Sequence, residues 1–203
     1  MKNIPDVFSL QDTVFHYTKT VTAIEHILYN DEIWLSPRMN SIDPIESTSP
    51  WFSYSSYGYD DTPKAGDELA KSVKDSIANQ HNNIKQLSFC MNNQTVEYNN
   101  RIILPYEYYG FLKPRMWDQY SDKYQGVCLA FSLEKIKQSS DYYNDFVDYV
   151  AYDILELNHN SIDLNLLQRV GKEEYSELYF QSYKKKLLRK HTDYFGENEY
   201  RFM

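Results

Sequence analysis

The segment Phe195-Gly-Glu-Asn-Glu-Tyr-Arg-Phe-Met203 places two carboxylates, Glu197 and Glu199, beside aromatic residues that favour strands. Gly196 ends the element that precedes them. In a strand, side chains at i and i+2 point to the same face, so we predict a strand over 197–202 with both carboxylates on one face. Like charges repel, and a fold tolerates such a pair mainly at its surface or at a site that uses it. An exposed edge strand with ordinary surface glutamates is the simpler of the two interpretations.

A second polar group lies in a strand-like run near the other end of the chain, in Phe15-His16-Tyr17-Thr18. His16 has two ring nitrogens and Thr18 a hydroxyl, which are groups suited to holding a ribose or an amide. The alternative is a core histidine whose ring nitrogens bind backbone groups. If the two segments meet in the fold, His16 and the two carboxylates should line one cleft.

Composition and charge limit the class of protein. The chain has 203 residues, 42% of them hydrophobic and 25% charged, which suits one globular domain spanning 1–203. Its net charge of −8 argues against a general nucleic-acid-binding surface, because such surfaces are usually basic. A local basic groove is not excluded by this value.

The cysteines and the N-terminus bear on location. Cys90 and Cys128 form no CxxC or Cys/His cluster with metal-ligand spacing, so we predict no metal site and two reduced, buried thiols. The first residues lack the apolar core of a signal peptide, and no apolar run approaches membrane-spanning length. We therefore expect a cytoplasmic protein without a membrane partner.

Hydrophobic periodicity predicts interspersed strands and helices, which is typical of a mixed α+β domain. Strands are predicted at 14–17, 33–35, 87–91, 127–131, 145–152 and 197–202. Helices are predicted at 21–30, 67–86, 115–124, 133–138 and 162–190, the last with a break near Gly171. The first helix places Val21, Ile24, Ile27 and Leu28 on one face. Residues 36–63 are predicted to be a long loop, which in a compact domain is usually functional or mobile.

The order of several short motifs carries a resemblance. The series is His16-Tyr-Thr, Trp34-Leu-Ser, Asp43-Pro44 with Glu46, Ser88-Phe-Cys90, Met116-Trp117 with Tyr120, Gly126-Val-Cys-Leu and Glu197-x-Glu199-Tyr-Arg. This series resembles a bacterial domain-of-unknown-function family found near defence or toxin genes. That family is itself similar to the ADP-ribosyltransferase superfamily. The resemblance implies an ADP-ribosyltransferase-like split antiparallel sheet with flanking helices.

The chain departs from the family pattern in two places. Relatives carry an Asn directly before Asp-Pro, whereas here Asn40 and Asp43 are separated by two residues. Relatives also continue beyond the Glu-x-Glu-Tyr-Arg segment, whereas this sequence ends at Met203, so the domain is expected to lack its C-terminal strands. Both departures affect parts of the pattern to which the family's function would be assigned.

The resemblance also implies roles for individual residues. ADP-ribosyltransferases of the His-Tyr-Glu type break the nicotinamide–ribose bond of NAD through a transition state like an oxocarbenium ion, which needs a carboxylate and a pocket for nicotinamide. Glu199 would be the catalytic carboxylate, and Glu197 would take the proton of the acceptor. His16 would hold the ribose, with Thr18 beside it. The candidates for stacking on nicotinamide are Tyr17, Tyr54 and Tyr57.

The function expected from this resemblance is an NAD-dependent ADP-ribosyltransferase acting as a bacterial toxin or phage-defence effector. NAD would be its substrate, and its acceptor would be a macromolecule, whether protein, RNA or DNA. An antitoxin or a defence-system protein would be its partner. The alternatives are a catalytically degenerate module that binds a nucleotide or nucleic acid, and an unrelated interaction domain with surface glutamates.

Overall fold

The computed structural model describes residues 12–47, 51–53, 65–93, 96–98, 101–103, 108–139, 147–153 and 159–203. Within these ranges the chain forms an α+β protein with an antiparallel sheet and flanking helices. Two compact units are present, one comprising 1–35, 86–152 and 190–203, the other 36–85 and 153–189. The predicted mixed class is confirmed.

The strands are short, and most fall where β-favouring runs occur in the sequence. Their bounds are β1 Thr13–Thr18, β2 Ser36–Pro37, β3 Trp51–Ser53, β4 Lys85–Met91, β5 Val96–Tyr98, β6 Arg101–Ile103, β7 Val127–Ser132, β8 Val147–Tyr149, β9 Ala151–Asp153, β10 His159–Ser161, β11 Arg189–His191 and β12 Glu199–Phe202.

The helices are α1 Thr20–Thr22, α2 Pro44–Ser47, α3 Ala65–Asn82, α4 Pro114–Tyr120, α5 Leu133–Ser139, α6 Leu164–Val170 and α7 Lys172–Leu187. A π-helix, Ala23–Leu28, continues α1, and among the described residues 3-10 helices span Arg38–Asn40, Gly110–Leu112 and Thr192–Glu197. The predicted break near Gly171 is confirmed, because this residue separates α6 from α7 with a φ of 84° that glycine adopts readily.

The sheet of the first unit has the strand order β7-β1-β4-β12-β8, and each of these pairings is antiparallel. The predicted strands at 14–17, 87–91 and 127–131 all lie in it. One face buries Val14, Leu87, Phe89, Met91, Leu133, Tyr200 and Phe202. The other face buries Phe15, Tyr17, Cys90 and Met116. Strand alternation thus divides β1 between two hydrophobic clusters.

The second unit has its own core. Residues Ala70, Val73 and Ile77 recur along one face of α3 at the spacing of an amphipathic helix, and they pack with Ile162, Leu167 and Tyr175. Asp163 caps α6 by accepting hydrogen bonds from the backbone N–H groups of Asn165 and Leu166. This unit is therefore stabilised mainly by helix packing.

Several sequence predictions are wrong in detail, including the long loop at 36–63, where β2, a 3-10 helix, α2 and β3 lie. Residues 33–35 form no strand, because the chain there runs without regular structure until Ser36. The apolar face predicted for 21–30 is not a packed face: Ile27 is buried, but Val21, Ile24 and Leu28 are exposed. The final strand begins at Glu199 and not at 197, since Glu197 is the last residue of a 3-10 helix.

Candidate active site

A left-handed residue joins the 3-10 helix Thr192–Glu197 to β12. Asn198 has a φ of 46°, and its backbone bridges two elements: its N–H donates to Phe195 O and its carbonyl accepts from Met91 N–H at 2.9 Å. Asparagine tolerates this conformation better than most residues. The kink turns Glu197 to the side on which Glu199 lies, although the two residues are not on one strand.

Both carboxylates converge on a single ammonium. The Nζ of Lys190 lies 2.6 Å from Oε2 of Glu197 and 3.3 Å from Oε2 of Glu199. The repulsion expected between the two glutamates is thus offset by a cation between them. Lys190 belongs to β11, the strand that pairs with β9.

Arg201 holds the other oxygen of Glu199. Its Nε and one terminal nitrogen lie 2.8 and 2.7 Å from Oε1 of Glu199. Glu199 and Arg201 are two residues apart on β12, so their side chains lie on the same face of the strand. Glu199 therefore contacts two cations, one through each oxygen.

Two tyrosine hydroxyls extend the network. Tyr120 donates to Oε1 of Glu197 at 3.1 Å, and its oxygen lies 3.4 Å from Nζ of Lys190. The hydroxyl of Tyr152 accepts from the backbone N–H of Glu199 at 2.8 Å. Both tyrosines are half-buried, whereas the charged groups that they contact are buried. The two tyrosines are thus the more exposed members of the network.

Two buried side chains donate hydrogen bonds to the backbone carbonyl of Glu197. Lys113 donates to this carbonyl at 3.2 Å and to Oδ1 of Asn93 at 3.1 Å. The thiol of Cys90 donates to the same carbonyl at 2.8 Å. Lys113 also precedes α4, the helix that ends at Tyr120, so one lysine connects the helix carrying Tyr120 to the kink before β12.

The aromatic ring of Tyr194 contacts two cations. Nζ of Lys190 lies 4.5 Å from the ring centroid of Tyr194, and Cζ of Arg115 lies 4.3 Å from it. These distances are within the range of cation–π attraction. Phe195 follows and is 71% exposed, with its ring edge-on to Tyr152 at 5.5 Å.

Burial makes the network costly. The exposed fractions of Lys190, Glu197, Glu199 and Arg201 are 2%, 2%, 4% and 0%. Burial raises the pKa of Glu197, an effect that Lys190 partly offsets, and burial lowers the pKa of Lys113. Buried ion pairs commonly contribute no more stability than apolar residues of the same volume, because each ion loses its hydration. A functional site therefore explains the burial of these four charged residues better than a contribution to stability does.

His16 does not join this site. Phe15 and Glu199 both pair with Cys90 of β4, so Phe15, Cys90 and Glu199 share one face. His16, one residue further along β1, points to the opposite face, where its ring lies 5.7 Å from Phe89 and its Nδ1 is 3.1 Å from Ser88 O. Burial lowers the pKa of His16. The predicted common cleft of His16 with Glu197 and Glu199 is therefore wrong.

The other residues predicted to bind NAD are Tyr17, Thr18, Tyr54 and Tyr57. Tyr17 shares the face of Glu199 but is buried, and its hydroxyl donates to Gly110 O at 2.6 Å while its ring meets Trp117 edge-on. Thr18 is buried at the end of β1 and alternates to the face of His16. Tyr54 and Tyr57 lie outside the described residues. Cys90 and Cys128 are both free; Cys90 is buried as predicted, but Cys128 is only half-buried.

Sequence reasoning missed the two lysines. Lys190 was assigned to the basic end of a long helix, yet it lies in β11, beyond the end of α7. Lys113 lies outside every strand and helix predicted from the sequence. No local signal distinguishes a buried lysine from a solvated one, whereas Tyr120 and Arg201 were present in the quoted motifs.

Among the described residues, no group of three or more His, Cys, Asp or Glu side chains is placed to hold a metal ion. A search of the same residues finds no helix with the length and apolar character needed to cross a membrane.

Comparison with known proteins adds one match. No curated protein matches the chain, and no solved structure does. Tyr120, Tyr152, Lys190, Glu197, Glu199 and Arg201 all fall within 116–202. This segment matches the model of a family described as a protein of unknown function, DUF2971.

Proposed function

We propose that the network of Lys190, Glu197, Glu199 and Arg201 is the catalytic centre of an NAD-dependent ADP-ribosyltransferase-like enzyme. The observation that carries the proposal is the convergence of two buried carboxylates on Lys190 at 2.6 and 3.3 Å. Such an arrangement costs desolvation energy that stability alone does not require. The resemblance of the motif series to the ADP-ribosyltransferase superfamily supports the choice of reaction.

The two carboxylates have different surroundings, which suit different roles. Glu199 is held at both oxygens by cations and is fixed in position, so we assign it the stabilisation of positive charge as the nicotinamide–ribose bond breaks. The bonding electrons leave with nicotinamide, and an acceptor nucleophile then forms the new bond to the ribose carbon. Glu197, which contacts Tyr120 and whose pKa is raised by burial, would take the acceptor's proton.

Tyr120 contacts the carboxylate of Glu197, Tyr152 the backbone of Glu199, and Tyr194 the ammonium of Lys190. All three rings are half-buried, so a planar ring of a substrate has aromatic surfaces to contact there. His16 has no place in this proposal because it lies on the other face of the sheet. The resemblance further supports a toxin or phage-defence effector with a macromolecular acceptor.

The test is incubation of the purified protein with adenylate-labelled NAD and cell extract, with protease, RNase and DNase applied to the labelled product. Release of nicotinamide is measured in parallel. The matched variants are Glu199→Gln and Glu174→Gln, the latter at an exposed glutamate in the first turn of α7. Labelling by wild type and Glu174→Gln, but not by Glu199→Gln, supports the proposal. Equal labelling by all three removes Glu199 from the mechanism.

A second candidate is a module that binds a nucleotide without chemistry. It is favoured by the contacts of Glu199, whose oxygens both bind cations and so are less available to a substrate. Calorimetric binding of NAD without release of nicotinamide would support this candidate over the enzyme.

A further inference from the structure

We propose that the exposed face of the first helical segment binds a basic, amphipathic segment of a partner protein. Val21, Ile24 and Leu28 are 60%, 58% and 63% exposed, and Tyr29 is 84% exposed. These four residues are called the Val21 face below. Trp34 and Leu35 follow closely in sequence and are exposed as well. Apolar residues concentrated in this way on a protein surface commonly mark an interaction site.

The helix winding explains why this face is outside. Tyr29 N–H donates to Ile24 O and Glu32 N–H donates to Ile27 O, both with the i to i+5 spacing of a π-helix. Ala23 and Ile27 are about one turn apart in this winding and together form the buried side. Ile24 and Leu28 are also four apart and align on a neighbouring, exposed side. The segment thus buries Ala23 and Ile27 and leaves Val21, Ile24 and Leu28 exposed to solvent.

Charge identifies the kind of partner. Residues 19–35 contain the exposed acidic residues Glu25, Asp31 and Glu32 and one basic residue, Lys19, which gives −3 + 1 = −2 with His26 neutral. The whole chain carries −8, so a second copy would bring like charges together. A helix with an apolar stripe and lysines or arginines beside it complements both the apolar residues and the exposed acidic residues of this segment.

The experiment measures binding of a synthetic 18-residue peptide of leucine and lysine in helical pattern to the full chain. A peptide with glutamate in place of each lysine is the control for charge. We expect the lysine peptide to bind at least tenfold more tightly than the glutamate peptide. Its amide chemical-shift changes should fall within 19–35. The variant Val21→Ser/Ile24→Ser/Leu28→Ser should weaken binding at least tenfold, whereas Leu178→Ser, at an exposed leucine of α7, should not.

The variants change exposed residues, and circular dichroism of each shows whether the fold is kept. A second variant, Glu25→Lys/Glu32→Lys, should abolish the preference for the lysine peptide while the Val21 face stays intact. The proposal is overturned by absence of binding, by equal binding to the triple-serine variant, or by shifts outside 19–35. It is also overturned if light scattering shows that the chain dimerises through this face, or if neutral vesicles bind it in place of the peptide.

Discussion

His16 and Glu199 lie on opposite faces of one antiparallel sheet, with β4 between their strands. The two residues are the ends of the motif series, and the resemblance had assigned both to a single NAD site. Because side chains alternate along a strand, a shift of one residue decides which face each occupies. Within β1, Tyr17 lies on the same face of the sheet as Glu199, and His16 lies on the face of the hydrophobic cluster around Phe89.

The first prediction follows for His16. The substitution His16→Ala should lower the free energy of unfolding by about 1–3 kcal/mol, because it removes the hydrogen bond to Ser88 O and the packing against Phe89. NAD affinity should stay unchanged, in contrast to the weakening that the resemblance implies. Urea denaturation and calorimetric titration with NAD measure the two quantities. Loss of NAD affinity at unchanged stability would contradict the geometry.

The second prediction concerns Lys190. Lys190→Met should lower the free energy of unfolding by about 3–5 kcal/mol, since it leaves two buried carboxylates without their shared cation. Adding Glu197→Gln to this variant should recover part of the loss, because one uncompensated charge is removed. Lys185→Met, at an exposed lysine of α7, is the matched control and should change stability by no more than about 0.5 kcal/mol. Equal effects of the two lysine substitutions would mean that Lys190 is not a charge partner.

The fold was predictable where hydrophobic patterns are local. The predicted strands at 127–131 and 87–91 are both strands of the sheet. The predicted break in the long helix is at Gly171, whose positive φ is readily adopted by glycine. The helix at 21–30 was mispredicted because its pattern fits an α-helix, whereas the chain winds as a π-helix after Thr22. Periodicity identifies a face only when the number of residues per turn is known.

The site was predictable only in part. The two glutamates were found from their spacing, but the reason was wrong: a left-handed Asn198, and not strand alternation, brings Glu197 beside Glu199. Lys113 is 84 residues from Glu197 and Lys190 only seven, but the burial of both depends on tertiary packing that a single sequence does not display. Thus the two carboxylates and Arg201 were visible in the quoted motif, and the two lysines were not.

The third prediction concerns the carbonyl of Glu197. Lys113 and Cys90 both donate to it, so their contributions to stability should not be additive. Each single variant, Lys113→Met and Cys90→Ala, leaves one donor in place, and the double variant leaves the buried carbonyl without either side-chain donor. A double-mutant cycle by chemical denaturation should give a coupling energy of about 0.5–3 kcal/mol. Additive effects would show that the two side chains act independently.

The fourth prediction is a pH dependence from the second unit. His81 is 1% exposed, and its burial together with the nearby Arg38 guanidinium lowers its pKa from 6.5 to about 4. Because the folded-state pKa is depressed, the unfolded chain takes up the proton first as the pH falls. The contribution of His81 to stability is therefore present above pH 6.5 and lost between pH 6.5 and about 4.

The loss over this interval should be at most roughly 3.5 kcal/mol, at about 1.4 kcal/mol per pKa unit. Unfolding free energies measured from pH 7 to 4 should fall less steeply for His81→Leu than for wild type. His26→Leu, at an exposed histidine, is the control and should follow wild type. A His81→Leu curve parallel to that of wild type would show that this histidine titrates alike in both states.

The last prediction separates the two carboxylates by their chemistry. Glu199→Gln keeps the size of the side chain and removes its charge, so it should lower the rate of nicotinamide release on the order of a hundredfold or more, with NAD binding largely kept. Glu197→Gln should reduce transfer to the macromolecular acceptor more than it reduces hydrolysis of NAD, because water does not need the same deprotonation geometry. Both rates are measured on the same preparations, with stability checked by denaturation because each substitution removes a salt-bridge partner of Lys190. If both variants lose hydrolysis and transfer in equal proportion, the division of roles is wrong. If Glu197→Gln alone abolishes nicotinamide release, the charge-stabilising carboxylate is Glu197, the one that contacts Tyr120.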